Sequence, residues 1–224
     1  MRSLAKNLKG YSRLLDVGCG SGKFLYEMKI AAGCRVYGLD MSEEAVKTAR
    51  SAYGLEVFKG LITEAPFDLG SFDVITAWQY LEHINNPLDA LRKFHYLLKP
   101  DGICVISTPN FDSFNAKIFR SKWFPLECPR HLCIYTPETV TLLLRKAGLS
   151  PVSIRFDGSS KNTLMSLQYC FYDNNYSLEH RDRVKKSSII KALVSPLTHI
   201  FAMLGKSDNM IVFAKKLPQD RQQN

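Results

Sequence analysis

An α/β fold with a doubly wound, largely parallel sheet is predicted by three features of the chain. The first is an apolar run that closes on an acid and three alternate glycines, Leu14-Leu15-Asp16-Val17-Gly18-Cys19-Gly20-Ser21-Gly22. Such a run suits a buried parallel strand turning tightly into a helix. The second is Cys34-Arg35-Val36-Tyr37-Gly38-Leu39-Asp40, a second strand that ends in a carboxylate. The third is the alternation of short apolar strands with helical segments along the rest of the chain. A strand, a glycine turn and a helix start together aim free N–H groups and a positive dipole end at any anionic part of a ligand.

Each element follows from local signals. Strand one covers Arg13–Val17, and a helix from Lys23 to Ala32 is closed by Gly33 in a left-handed conformation. After strand two, Ser42 is an N-cap with Glu43 and Glu44 in the first turn of a helix that reaches Tyr53 before Gly54. Leu55–Lys59 and Phe72–Trp78 read as strands three and four. Pro87 suits the first turn of a helix over Leu88–Leu98, and Lys99-Pro100-Asp101-Gly102 reads as the turn that stops it. Ile103–Ser107 is strand five. Thr136 and Pro137 open a helix through Lys146, closed by Gly148, and Val152–Phe156 and Met210–Lys215 are the last two strands. Between those two, Leu164–Tyr172 and Ser188–Leu204 read as inserted helices.

Composition agrees with one domain over 1–224: a core and substrate loop at 1–157, a helical insertion or lid at 158–208, the last strand at 209–216, and a disordered tail at 217–224. At 224 residues with 46% hydrophobic content, the chain is long enough to bury a sizeable core. The six cysteines show no CxxC pair and no metal-ligand spacing, as in a reduced cytoplasmic protein, and no metal is expected. No apolar signal region opens the chain; Met1–Lys9 reads as a short basic amphipathic turn. The net charge of +9 is concentrated late, with 19 basic and 15 acidic residues over 1–154 but 11 and 6 over 155–224. Its densest point, Arg181-Asp182-Arg183-Val184-Lys185-Lys186, directly precedes an apolar segment. No recognition helix, zinc finger or aromatic RNA-binding strand accompanies this charge, so nucleic acid is not the expected partner. A solvated surface, an anionic substrate and peripheral membrane contact stay open, as does the oligomeric state.

Asp40 lies where a carboxylate can accept both vicinal hydroxyls of a ribose, which fits a nicotinamide dinucleotide or S-adenosylmethionine. The glycine spacing separates the two. A dinucleotide loop uses Gly-x-Gly-x-x-Gly, whereas this chain has Gly18-Cys19-Gly20-Ser21-Gly22 with Asp16 ahead of it. The segment closely resembles motif I of class I S-adenosylmethionine-dependent methyltransferases. The likeness continues through Asp40-Met41-Ser42, Phe72-Asp73-Val74-Ile75, Leu81-Glu82-His83-Ile84, Leu97 to Gly102 and Ser107-Thr108-Pro109-Asn110. The resemblance implies a Rossmann-like sheet of order 3-2-1-4-5-7-6 with the last strand antiparallel, and S-adenosyl-L-methionine as cofactor. It assigns Gly18, Gly20 and Gly22 to close approach around the methionine part, Asp16 to its ammonium side and Asp40 to the ribose. Met41 would pack on the adenine, backbone near Leu61 and Ile62 would meet its polar edge, and carbonyls around Ala77 and Trp78 would receive the ammonium. Pro109 and Asn110 would face the same crevice.

Methyl transfer from a sulfonium needs no acid to expel its neutral leaving group, and a base only where the acceptor must lose a proton. Two histidines are candidates. His83 lies in Gln79-Tyr80-Leu81-Glu82-His83, which resembles the Glu-x-x-Glu-His of ubiquinone-pathway O-methyltransferases with Gln79 replacing the first acid. His131 lies in a long proline- and aromatic-rich loop, Trp123-Phe124-Pro125-Leu126-Glu127-Cys128-Pro129-Arg130-His131-Leu132, of the kind that builds substrate walls. Tyr80, Trp123 and Arg130 are the candidate acceptor contacts, Arg130 for a phosphate or carboxylate. The reading is a methyltransferase acting on a small molecule, O-methylation first, with glycan, lipid or quinone-like precursors as acceptor classes. The alternative is a catalytically silent cofactor-binding or assembly protein.

Overall fold

The computed structural model describes residue 8, residue 10, residues 12–171 and residues 188–217. The expected basic turn at the start, the Arg181–Lys186 run and the tail from 218 lie outside the described residues, apart from Leu8. In order the elements are β1 (Arg13–Val17), α1 (Lys23–Ala32), β2 (Arg35–Asp40), α2 (Glu43–Tyr53), β3 (Glu56–Lys59), β4 (Phe72–Trp78) and α3 (Pro87–Leu97). There follow β5 (Leu98–Pro109), α4 (Phe114–Phe119), α5 (Pro137–Lys146), β6 (Leu149–Asp157), α6 (Lys161–Phe171), α7 (Ser188–Met203) and β7 (Asn209–Lys216). The strands form one sheet of order β3-β2-β1-β4-β5-β7-β6 with β7 antiparallel, as the resemblance implies. The chain divides into two compact units, residues 1–107 with 141–153 and 212–224, and residues 108–140 with 154–211.

In the first unit the sheet centre is apolar on both faces: Leu14, Leu15, Val17, Val74 and Ile75 are all buried, as parallel strands covered by helices require. Local signals set the helix ends. Ser42 Oγ accepts from the Ala45 N–H, and Gly33 and Gly54 close α1 and α2 in left-handed conformations. Asn86 accepts from the Asp89 N–H just ahead of Pro87. At the outer end of β4, Lys99 Nζ binds both carboxylate oxygens of Asp73 at 2.8 and 2.9 Å, and Asp73 also accepts the Arg13 N–H.

The expected turn at Lys99–Gly102 is instead part of β5. Leu98 pairs with Phe72 and Ile103 with Val74, so the extra residues bulge between two registered pairs. Pairing with β4 therefore holds as strand a segment whose proline and glycine read as a stop.

Gly22 shows a packing role that the motif alone does not reveal. A Cβ there would lie 2.6 Å from Leu55 Cδ1 and 2.9 Å from Ala49 Cβ, at a φ of +80°. At Gly20, φ +53°, a Cβ would meet nothing within 4 Å. Gly22→Ala is thus expected to cost about 2–4 kcal/mol of stability, from left-handed strain plus overpacking, whereas Gly20→Ala costs only about 1 kcal/mol from strain. Urea unfolding of the two variants checks this difference.

In the second unit the framework is polar as well as apolar. Asp208 is buried and accepts from Trp123 Nε1 (2.7 Å), Asn115 Nδ2 (2.7 Å) and Ser113 Oγ (3.1 Å). Burial raises its carboxyl above the ordinary range, and those three donors oppose the rise. Asn115 Nδ2 also donates to Thr163 Oγ1, and Ser166 Oγ accepts from the Phe124 N–H, so α6 is tied to α4 and to the loop after it.

Candidate functional site

The crevice of the first unit is built at the carboxyl ends of β1, β2 and β4, where open α/β sheets bind ligands. β1 delivers Asp16, fully buried, whose Oδ1 accepts a 2.6 Å hydrogen bond from Thr76 Oγ1 on β4. Burial, opposed by the Thr76 bond and reinforced by the charge of Asp40, pushes the Asp16 carboxyl up to about 7. A positive charge brought beside Asp16 would therefore favour its ionised form.

The glycine turn leaves β1 with its first amides already engaged: Gly18 and Cys19 donate to the Leu39 carbonyl at 2.8 and 3.0 Å. Asp40, at the end of β2, reaches back across the turn. Its Oδ2 accepts the Gly20 N–H and its Oδ1 the Ser42 N–H, both at 2.8 Å. One carboxylate thus holds the loop and the start of α2, and its remaining lone pairs are available to hydroxyl donors. The two acids also act on Cys19: burial first, then Asp16 and Asp40, push its thiol up to about 12, so it stays a neutral thiol.

β4 ends in a strained step. Gln79 has a φ of +51°, unusual for a residue with a side chain. It is clamped to Ser107 twice, N–H to carbonyl at 2.8 Å and Nε2 to Oγ at 3.0 Å. The step turns Tyr80 over the glycine loop, where its ring lies 2.8 Å from the place a Gly18 Cβ would occupy. Burial and the charge of Asp40 push the Tyr80 phenol up to about 12, leaving it a neutral donor. Trp78 packs edge-on against Phe24 with ring centroids 5.2 Å apart, and its buried indole nitrogen has no hydrogen-bond partner among the described residues.

Five of the expected site residues meet in one pocket of about 430 Å³: Met41, Leu61, Ile62, Tyr80 and His83. Met41 is 62% exposed and Leu61 37%, apolar side chains left open on the wall of a cleft that Asp40 borders in sequence. Ile62 is buried beneath them. His83 closes a short 3-10 turn, Leu81–His83, whose Glu82 is buried. Tyr80, expected on the acceptor side, shares this pocket with Met41, Leu61 and Ile62.

The second unit holds the other candidates, Trp123, His131 and Arg130, together with Asn110. Trp123 is only 1% exposed and donates its indole N–H to Asp208, which fastens the loop. Asn110 is fully buried, donating to the Ser207 carbonyl and accepting the Asp112 N–H; it too secures the chain. His131 has Nδ1 2.6 Å from the Pro125 carbonyl and Nε2 3.4 Å from Glu127 Oε2. Arg130 is the most open member of the group, 3.5 Å from the same carboxylate. Sequence reasoning missed Thr76, Ser107 and Asp208, each of which orients a residue that it named.

The first unit's crevice offers an open backbone at Gly20, a carboxylate beside it, an apolar cleft of small-molecule size and a buried acid that favours a cation. This donor set fits an adenosyl sulfonium. The chain belongs to the methyltransferase domain family, whose profile matches residues 1–154. Among curated proteins it is similar to a ubiquinone biosynthesis O-methyltransferase of Ruegeria pomeroyi, 36% identical over 151 residues, covering 62% of this chain and 60% of that one. A protein of the same name from Bordetella bronchiseptica is 34% identical over 171 residues, covering 69% and 68%. The chain thus spans about three fifths to two thirds of these relatives. In fold it resembles a SAM-dependent methyltransferase of Archaeoglobus fulgidus, with TM-score 0.65, 23% identity and 96% and 90% coverage. It also resembles the geranyl diphosphate C-methyltransferase of Streptomyces coelicolor, with TM-score 0.62, 14% identity and 96% and 80% coverage. Among the described residues no helix is long and apolar enough to cross a membrane.

Proposed function

We propose that this chain transfers a methyl group from S-adenosylmethionine to an oxygen of a small-molecule acceptor. The observation that carries the reading is the Asp40 carboxylate, which bridges the Gly20 and Ser42 amides beside the pocket of Met41, Leu61 and Ile62. In this reading Asp40 takes the ribose hydroxyls, Met41 and Leu61 cover the adenine, and the Gly20 backbone lies along the methionine part. Asp16, steadied by Thr76, answers the cationic end, assisted by carbonyls at Ala77 and Trp78. Gly18 and Gly22 act indirectly, by admitting the Tyr80 ring and α2.

The bound cofactor supplies an electrophilic methyl on a sulfonium. An acceptor hydroxyl that took this methyl would displace a neutral thioether, and its proton would pass to a base or to water. His83, which lines the pocket, is the proposed proton acceptor. His131, whose two ring nitrogens face Pro125 and Glu127, is proposed to hold its loop, and Arg130, ion-paired with Glu127 and mostly exposed, is the proposed contact for an anionic group of the acceptor. The names of the curated relatives, ubiquinone biosynthesis O-methyltransferases, support a quinone-like precursor as the acceptor class.

The test is methyl transfer from labelled cofactor to a panel of phenols and catechols, then to glycan and lipid precursors. Counts in an extractable methyl ether support the reading; cofactor binding with no product from any acceptor favours the silent alternative. With an accepted substrate, His83→Ala is expected to lower kcat by roughly 10²–10⁴-fold, the range of general-base catalysis, with cofactor affinity little changed. His131→Ala is expected to depress stability along with rate. Reversal of these two patterns would exchange the roles.

A further inference from the structure

The helix α7 carries its apolar residues on the outside. Ile189 (76% exposed), Leu193 (74%), Leu197 (47%), Ile200 (51%), Met203 (87%) and, just beyond the helix, Leu204 (61%) recur at three- and four-residue spacing, which places them on one helical face. The opposite side is the fastened one. Thr198 is 2% exposed and its Oγ1 donates to the Gly158 carbonyl at 2.8 Å. A surface helix of a globular protein ordinarily shows the reverse arrangement, and a contiguous apolar face of this kind marks an interaction surface.

The charge along this stretch selects the occupant. From Arg183 to Lys191 the chain has four cations, Arg183, Lys185, Lys186 and Lys191, and no acidic residue. A second copy of the chain would bring the same excess of positive sequence charge with it. An anionic lipid surface answers both features, since its acyl boundary accepts the apolar stripe and its headgroups neutralise the lysines and arginines. With 16 residues, α7 is too short to span a bilayer, so the geometry is that of a helix lying in the interface.

We infer that α7 docks this protein on the surface of an anionic lipid bilayer, with Ile189, Leu193, Ile200 and Met203 inserted at the acyl boundary. Docking is independent of the methyl-transfer reading and is measured without cofactor or acceptor. The experiment is flotation of the full chain with phosphatidylcholine vesicles, with and without about 30% phosphatidylglycerol. Anionic vesicles are expected to bind at least roughly tenfold better than neutral ones, and about 0.5 M salt is expected to reverse most of that gain. Leu193→Asp with Ile200→Asp is expected to abolish flotation, and Lys185→Glu with Lys186→Glu to weaken it by roughly tenfold. Both replaced pairs are checked by thermal unfolding; Leu193 and Ile200 are exposed, so folding is expected to persist, and the headgroup and salt dependence of the unaltered protein tests the inference without any variant. Absence of flotation with anionic vesicles would overturn it, as would equal binding to both vesicle types. So would a dimer in solution that the Leu193→Asp, Ile200→Asp variant converts to monomer, which would assign the stripe to a second copy.

Discussion

Asp40→Ala is expected to reduce affinity for S-adenosylmethionine and S-adenosylhomocysteine by roughly a hundredfold or more, about 3 kcal/mol, with loss of two or more charge-assisted hydrogen bonds. The size follows from the double duty of the carboxylate. Besides the ribose hydroxyls that it is proposed to take, it secures the Gly20 amide and the Ser42 amide at 2.8 Å each. Removing it frees the glycine turn at the point where a Cβ would meet nothing, the stretch left open for ligand. Asp40→Asn retains one acceptor oxygen and is expected to fall between the two. Calorimetric titration of the three proteins checks the order; an unchanged affinity in Asp40→Ala would place the cofactor elsewhere.

The second large effect is a pH dependence of cofactor binding centred on Asp16. Its carboxyl is raised from 3.8 to about 7, chiefly by burial. A raised folded-state value means that its contribution to stability is complete below about pH 4 and is lost as pH rises through about 7, because the buried anion is disfavoured. The cofactor-free protein is therefore expected to lose thermal stability between about pH 4 and 7 from this group. A cationic ligand reverses the preference, so affinity for S-adenosylmethionine is expected to rise between about pH 5.5 and 7.5, with proton release on binding. Calorimetry in buffers of different ionisation enthalpy measures that proton. In Asp16→Asn both the release and the pH dependence are expected to vanish; if they persist, another group carries them.

Much of this was legible in local sequence because the signals are local. Gly33 and Gly54 end helices in left-handed conformations, Ser42 caps α2, and the acid after the second strand reaches the glycine turn, all within a few residues or one strand-turn-helix unit. What the sequence does not show is non-local. Lys99–Gly102 looks like a turn until Leu98 finds Phe72, 26 residues earlier, and draws the segment into β5 as a bulge. Trp123 in a proline-rich loop gives no sign of Asp208, 85 residues later, which offers its indole N–H a buried acceptor. Thr76 carried no signal at all: a threonine in a strand is ordinary, and only the register of β1 against β4, which pairs Asp16 with Thr76, gives it a purpose. The short helix Phe114–Phe119 was unforeseen for a similar reason, since its Ser113 cap and Asn115 are held by Asp208.

The central claim is that the crevice formed by Asp16, Gly20, Asp40 and the Met41–Leu61 cleft holds S-adenosylmethionine. Titration of the full chain with S-adenosylhomocysteine, with NAD as the competing ligand, tests it most directly. Micromolar binding of the adenosyl ligand, unaffected by NAD and lost in Asp40→Ala, is the predicted result. A folded protein that binds NAD in preference, or binds neither, would contradict it.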